Sequence, residues 1–467
     1  MNMSRNFFLA STSLALVFFF SAEAASPARA NDDLVQSVSD LVSDQDKDVR
    51  AVGLEQVRDE VKGVEATRRF AALLPKLAPE AQVGLLGALA ERGDAAARPA
   101  VLDLLNNSTA EVRGAAIRAL GALGGEGDVP RLARLLGDAK SEKDAVAAIT
   151  HLHGEGINTA LCAEMKAATP AQQVKILRLL VVRHAIDSVP TLLDAARNAN
   201  AGVRVAALDA LGQLAGPELV AKLAHLILDA KDAAAREEAE KSLTLIAQRD
   251  TKVGIDRQAL PLLEVMAGLS EEEKTALLPA LGRIGGKPAL KVIEAALADK
   301  NPGHGAAALR ALCNWPNGSI APRLVELALA AKDPADRKLA VDALIRVAPL
   351  PDKRPVAVRL AMLKKAMELA SSDEQRALVL KRASAILSLE TLHFVAPYMD
   401  QAEFSQLACK TVVELAHHKE LRQPNKAEFN KALDKVITLS KDPEVLLRAN
   451  HYQKDETWVE KQIKKEK

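Results

Sequence analysis

Six small and aliphatic residues, Val112, Ala115, Ala116, Ala119, Leu120 and Leu123, fall at offsets 0, 3, 4, 7, 8 and 11. The same offsets recur 91 residues later in Val203, Ala206, Ala207, Ala210, Leu211 and Leu214. Arg113 and Gly121 recur at the same distance as Arg204 and Gly212. Such offsets describe one face of a helix of 3.6 residues per turn. A helical face that returns at a fixed period belongs to a stack of similar units, because each unit buries its apolar face only against its neighbours. The leucine at offset 8 gives the register: Leu120, Leu211, Leu243, Leu281, Leu312 and Leu344, at intervals of 91, 32, 38, 31 and 32. The unit is therefore about 30 to 32 residues, with three units inside the longest interval.

Each unit reads as two helices. The first usually opens on proline, as at Pro99, Pro130, Pro190, Pro261, Pro288 and Pro322. Proline suits a first turn, where its missing N–H would have no partner anyway. Polar turns such as Asn106-Asn107-Ser108-Thr109, Asn198-Ala199-Asn200 and Lys332-Asp333-Pro334 then supply caps for the second helix. Glycine follows that helix at Gly124-Gly125 and Gly285-Gly286, as a C-terminal cap would require. Between Asp33 and Ser440 the pattern gives roughly twelve or thirteen hairpins. Hydrophobic residues make up 49% of the chain but aromatics only 3%, so the core must be built from Ala, Val and Leu at close helix separations.

The segments Glu111–Gly124 and Gly202–Ala215 resemble the HEAT family, and within it the short HEAT-like repeats named after phycobilisome lyases. The likeness covers about residues 33–350. It implies an all-α fold, an α-α superhelix or armadillo/HEAT-type solenoid of roughly twelve helical hairpins, elongated and curved. The family includes bilin lyases and many scaffolds.

Residues 1–30 read as an export signal. Arg5 precedes 14 uncharged apolar or small residues, Phe7–Phe20, and the small-residue patterns Ala22-Glu23-Ala24 and Ala28-Arg29-Ala30 place cleavage after Ala24 or Ala30. The expected protein is exported, periplasmic or secreted, with no membrane span after signal cleavage. Cys162, Cys313 and Cys409 lie 151 and 96 residues apart, too many repeats for a disulfide, and read as buried free thiols. The net charge of +1, from 62 basic and 61 acidic residues, gives no nucleic-acid footprint.

An arginine recurs at the start of the second helix, at Arg50, Arg113, Arg204, Arg236 and Arg337. It reads as a structural ladder bonded to acidic groups or turn carbonyls, with an anion-binding row as the alternative. No histidine pair has the spacing of a helical zinc site, and Gly282–Pro288 lacks the spacing of a phosphate loop. No catalytic, cofactor-binding or metal-binding residue is nominated. After the proline-rich break Pro349–Pro355 the consensus fades and aromatics gather. This divides the chain into a repeat solenoid over 31–350, divergent helical repeats or a cap over 351–450, and a charged tail over 451–467. Phe394, Tyr398, Phe404, Tyr452 and Trp458 are the candidate protein-binding residues, since Tyr and Trp are enriched at binding hot spots. The expected function is that of an exported scaffold or adaptor without catalytic activity, binding a protein partner through its extended surface. Arg118, Asp209, Arg310 and Asp342 fall in the solvent-facing gaps of the ladder. The alternatives are an enzyme or enzyme accessory factor, lyase-like or carbohydrate-processing, and a structural envelope component.

Overall fold

The computed structural model of the protein describes residues 27–60, 62–456 and 458. Among these residues every regular element is helical and no strand occurs. Residues 1–26 of the expected export signal lie outside the described residues, and positions 27–30 open the first helix.

The chain divides into two compact units, the first ending at Arg183 and the second starting at His184. The first contains α1 (Pro27–Ser43), α2 (Lys47–Asp59), α3 (Val64–Ala71), α4 (Pro79–Arg92), α5 (Arg98–Asp103), α6 (Ala110–Leu123), α7 (Val129–Leu135), α8 (Glu142–His151), α9 (Ile157–Glu164) and α10 (Pro170–Val182). These pack in consecutive pairs as five hairpins, and each second helix from α2 to α10 packs on the next.

The second unit contains α11 (Val189–Ala195), α12 (Ala201–Leu214), α13 (Val220–Leu228), α14 (Ala233–Ala247), α15 (Ile255–Gln258), α16 (Leu260–Ala267), α17 (Glu271–Ile284), α18 (Lys287–Leu297) and α19 (Pro302–Cys313). It continues with α20 (Ala321–Ala330), α21 (Pro334–Val347), α22 (Val356–Leu369), α23 (Asp373–Ala383), α24 (Leu389–Val395), α25 (Ser405–His417), α26 (Lys419–Arg422), α27 (Lys426–Leu439) and α28 (Pro443–Gln453). Eight hairpins result, with the single-turn α15 and α26 as connectors. The stack runs straight through the proline-rich segment, since α21 packs on both α22 and α23. Arg354 pins that segment by pairing with Asp352 at 2.8 Å and donating to the carbonyls of Val347 and Ala348, each at 3.2 Å.

The ladder is the core. Val112, Ala116, Leu120, Val203, Ala207 and Leu211 are all fully buried. The residue at offset 5, apolar in most repeats, is buried as well: Ile117, Leu208, Leu278, Leu309 and Val341. A second helix is covered by its own hairpin partner and by the second helices on either side, so its apolar stripe is wider than the six-position ladder. Offset 3 lies at the stripe's edge, where Ala206 is only half-buried and Leu339 is exposed.

The glycine at offset 9 has a distinct task. A Cβ on Gly121 would stand 2.7 Å from the Cα of Ala148 in α8. One on Gly282 would stand 2.2 Å from the Ala311 carbonyl oxygen in α19, and one on Gly212 would stand 2.7 Å from the Ser242 hydroxyl in α14. Glycine here lets consecutive second helices cross backbone against backbone. The prolines start the first helices as expected, each at the second residue of α5, α7, α11, α16, α18 and α20. Asn200, Asp232, Ser270 and Asp333 cap second helices through their side chains. Gly285 and Gly286 take φ of 78° and 94°, which favours glycine, whereas Gly124 ends α6 in an extended conformation.

Cys313 and Cys409 are buried free thiols as expected, whereas Cys162 is only half-buried. The tail begins later than position 451, because α28 runs to Gln453 and carries Tyr452, 1% exposed, into the core.

Candidate binding surface

The recurring arginine at the start of the second helix is spent on the fold. Arg50 donates to the carbonyls of Asp44 and Gln45 at 3.0 and 2.7 Å, Arg113 to Asn107 at 2.9 Å, and Arg204 to Asn198 and Ala199, both at 2.8 Å. Arg236 reaches Ala230 at 3.3 Å. Each reaches back five or six residues to the turn that ends the first helix, where carbonyls lack helical partners. Two of these arginines also hold the following hairpin, Arg50 through Glu80 at 3.5 Å and Arg204 through Asp232. Arg337 holds the same position and is half-buried. The partners are therefore turn carbonyls of the arginine's own hairpin and acids of the next one.

A second arginine series, which the sequence reading missed, sits at or just beyond the other end of the second helix. Arg92 donates to the Val57 and Glu60 carbonyls at 2.7 and 3.0 Å, and Arg183 to those of Ile149 and Leu152 at 2.7 and 3.0 Å. Arg249 reaches Gly212 and Gln213 at 2.5 and 2.8 Å, and Arg346 reaches Cys313 and Trp315, both at 2.8 Å. Each cation thus covers the negative end of the preceding second helix. The signal was present as a basic residue near each C-terminus, but its partner lies some thirty residues away, beyond any local pattern.

Pairs of opposite charge tie neighbouring hairpins. The most enclosed is Asp128, 2% exposed, which accepts two bonds from Arg98 at 2.8 and 2.6 Å and one from the Gly125 N–H at 3.0 Å. Burial opposes its charge, but Arg98 and the Gly125 amide together hold the carboxyl below the usual carboxylate range.

The five aromatic candidates separate into two groups. Phe394, Tyr398 and Phe404 form an edge-to-face chain with ring centroids 5.9 and 6.1 Å apart. Phe394 and Tyr398 are half-buried, Phe404 is buried, and Lys364 lies over the Phe394 ring at 5.7 Å. Tyr452 belongs to another cluster: its hydroxyl lies 2.8 Å from His417 Nδ1, and Arg422 lies over its ring at 5.0 Å. Trp458, half-buried, packs against His451 at 5.4 Å. Phe404 and Tyr452 are core residues and present no surface to a partner. For these two the composition signal marked the packing of the terminal hairpins, while Phe394, Tyr398 and Trp458 keep part of their surface in solvent.

A groove of about 670 Å³ runs between α16, α17 and α18. Leu263, Met266, Leu278 and Val292 line it together with the polar side chains of Lys274, Lys291, Asp299 and His304. His304 Nδ1 lies 3.2 Å from Asp299, which fixes the ring at the ladder's first position. Among the described residues no group of three or more His, Cys, Asp or Glu could hold a metal ion, and no helix is long and apolar enough to cross a membrane. The ladder gaps do reach solvent: Arg310 is exposed, Asp209 half-buried, and the side chains of Arg118 and Asp342 are 51% and 36% exposed. Arg118 pairs with Asp144 of the next hairpin.

A model of HEAT repeats matches residues 67–151 and 158–244, in agreement with the helical hairpins found there. No curated protein matches the chain. Among solved structures, the karyopherin Kap121p, bound to the extreme C-terminus of the protein phosphatase Cdc14p, is similar over 90% of this chain and 55% of its own, with 13% identity and a TM-score of 0.44. An engineered protein is similar over 90% of this chain and 98% of its own, with 18% identity and a TM-score of 0.29. Human deoxyhypusine hydroxylase in complex with glycerol is similar over 47% of this chain and 98% of its own, with 18% identity and a TM-score of 0.23. The chain spans about half the length of the karyopherin it matches.

Proposed function

We propose that this HEAT-repeat protein, with its repeats shown over residues 67–151 and 158–244, is an exported scaffold that binds another protein through the extended surface of its helical array. One observation carries the reading. Within each unit the second helices repeat in register, so their solvent-facing positions line up from hairpin to hairpin while the buried positions stay small and apolar. Such a surface is already ordered before a partner arrives, which keeps the entropic cost of binding low. The charged groups that could have formed a chemical centre are largely committed to turns, helix ends and neighbouring hairpins. Export rests on the composition of residues 1–30, a charged start followed by an apolar run and small-residue cleavage patterns.

The test uses the full chain in its host. Fractionation should place it outside the cytoplasm, and affinity capture from that fraction should recover a protein in fixed ratio. A variant with Asp209→Lys and Arg310→Glu together should lose that protein while melting as the native chain does. Retention in the cytoplasm contradicts export. Undiminished capture by a folded double variant contradicts the surface reading.

A further inference from the structure

A groove recurs in the second unit where one hairpin meets the next, and one copy of it is enlarged. Beside α18 it is lined by Glu271, Lys274, Thr275 and Leu278 of α17, two residues before the ladder and at its offsets 1, 2 and 5. One hairpin on, Pro302, Gly305, Ala306 and Leu309 of α19 line its equivalent from the same four positions. The first copy holds about 670 Å³ and the second about 330 Å³. The larger lies well inside the range of small-molecule sites, about 300–1,000 Å³.

Its walls are aliphatic and elongated. Pro288, Lys291, Val292, Ala295 and Ala296 fall at i, i+3, i+4, i+7 and i+8 of α18. They form one helical face, a wall about 12 Å long at 1.5 Å per residue. Met266 and Leu278 form its most deeply buried part, 3% and 2% exposed. No Phe, Tyr or Trp lines the groove, so an aromatic ligand would find no ring of that kind to stack on. Small and branched side chains with one adaptable methionine suit a flexible alkyl chain instead.

One charge in the groove has no partner. Lys274 pairs with Glu271 at 2.7 Å. Asp299 accepts from the Asn301 N–H at 2.8 Å and lies 3.2 Å from His304 Nδ1, and these contacts hold its carboxyl below the usual carboxylate range. Lys291 is exposed, and among the described residues no ion pair or hydrogen bond engages its ammonium. Of the other acids on α16, α17 and α18, Glu273 closes the cap of α17 with Ser270, and Glu294 pairs with Arg323. Glu264 and Glu272 do not line the groove. A single free ammonium on an aliphatic wall complements one carboxylate at the end of an alkyl chain: the lysine stem packs on the chain and its head meets the charge.

We propose that the groove between α16, α17 and α18 binds a single-chain aliphatic carboxylate, a ligand of the fatty-acid class, with its carboxylate on Lys291 and its chain along Val292, Ala295 and Leu278. The site is separate from the partner surface and does not depend on the scaffold reading.

The probe is laurate below its micelle concentration, titrated into the full chain by calorimetry. Dodecanol, dodecyltrimethylammonium and a Leu/Glu peptide are the controls. Laurate should bind tightest, at one per chain. Lys291→Glu should weaken laurate about tenfold or more, equivalent to about 1.4 kcal/mol, and leave dodecanol unchanged. Ala295→Trp, which fills the groove from an exposed position, should abolish the binding of both. Both substitutions lie on exposed side chains and should leave the melting curve unchanged. If Ala295→Trp melts early, the laurate and dodecanol affinities of Lys291→Glu decide alone. Equal binding of dodecyltrimethylammonium overturns the proposal, as does unchanged laurate affinity in folded Lys291→Glu. A Leu/Glu peptide that binds more tightly than laurate also overturns it, because the groove would then hold a protein segment.

Discussion

At the scale of single residues, this chain assigns its polar groups to structural tasks. Asp128 is the sharpest case, because its carboxyl is held low by Arg98 and the Gly125 amide against the effect of burial. A carboxyl depressed in the folded state stabilises the fold fully above its unfolded pKa of about 4, and that contribution disappears as pH falls through the lower folded value. Acid titration of the native chain should therefore show a larger loss of stability below about pH 4 than the Asp128→Asn variant shows. At neutral pH the same variant should be about 1–3 kcal/mol less stable, because Arg98 and Gly125 lose a charged acceptor. Equal stability of the two proteins at neutral pH contradicts this. Cys313 makes a second prediction: burial pushes its thiol up to about 12, so alkylating reagents at pH 8 should spare it in the folded protein and modify it on unfolding. The sequence placed Cys313 and Cys409 in the core correctly, because their small-residue surroundings are local facts, but it also buried Cys162, which is only half-buried. It did not show Asp128, whose partner stands thirty residues away in another helix.

At the scale of elements, the second helix is held at both ends and along one line. The arginine near its start covers the preceding turn, and the arginine near its end covers the C-terminus of the helix one repeat back. The glycine at offset 9 sets how closely consecutive second helices approach. Gly282→Ala should cost about 1–3 kcal/mol, as overpacking usually does, because its new methyl would meet the Ala311 carbonyl rather than a flexible side chain. Gly87→Ala, where nothing lies within 4 Å, should instead be neutral or slightly stabilising, through better helix propensity. Thermal melts of the two variants separate the crossing role from propensity, and equal effects would refute it. The ladder was legible because a buried stripe imposes a 3.6-residue period. The offset-5 residues were missed because a helix covered on several sides buries more than one face. Two of the terminal aromatics were misread: composition reports size, and only the packing reveals that Tyr452 and Phe404 point inward.

At the scale of the whole molecule, each unit is a sum of hairpins and of the contacts between neighbours, so damage should stay local. A charge at Leu211, which is fully buried, should open α11 to α14 first in hydrogen exchange, while Cys409 in α25 stays protected from alkylation. Loss of protection at the same rate along the whole chain would contradict an additive stack. The functional claim at this scale is that solvent-facing positions of the second helices meet a protein. Placing a photo-crosslinking residue singly at Asp209, Arg310, Asp342 and Leu378 in the full chain, and irradiating intact host cells, tests it most directly. The account predicts covalent adducts to one protein species from several of these positions and none from Ala116, which is buried in α6. Adducts from the buried control alone, or no protein adduct from any exposed position, would contradict it.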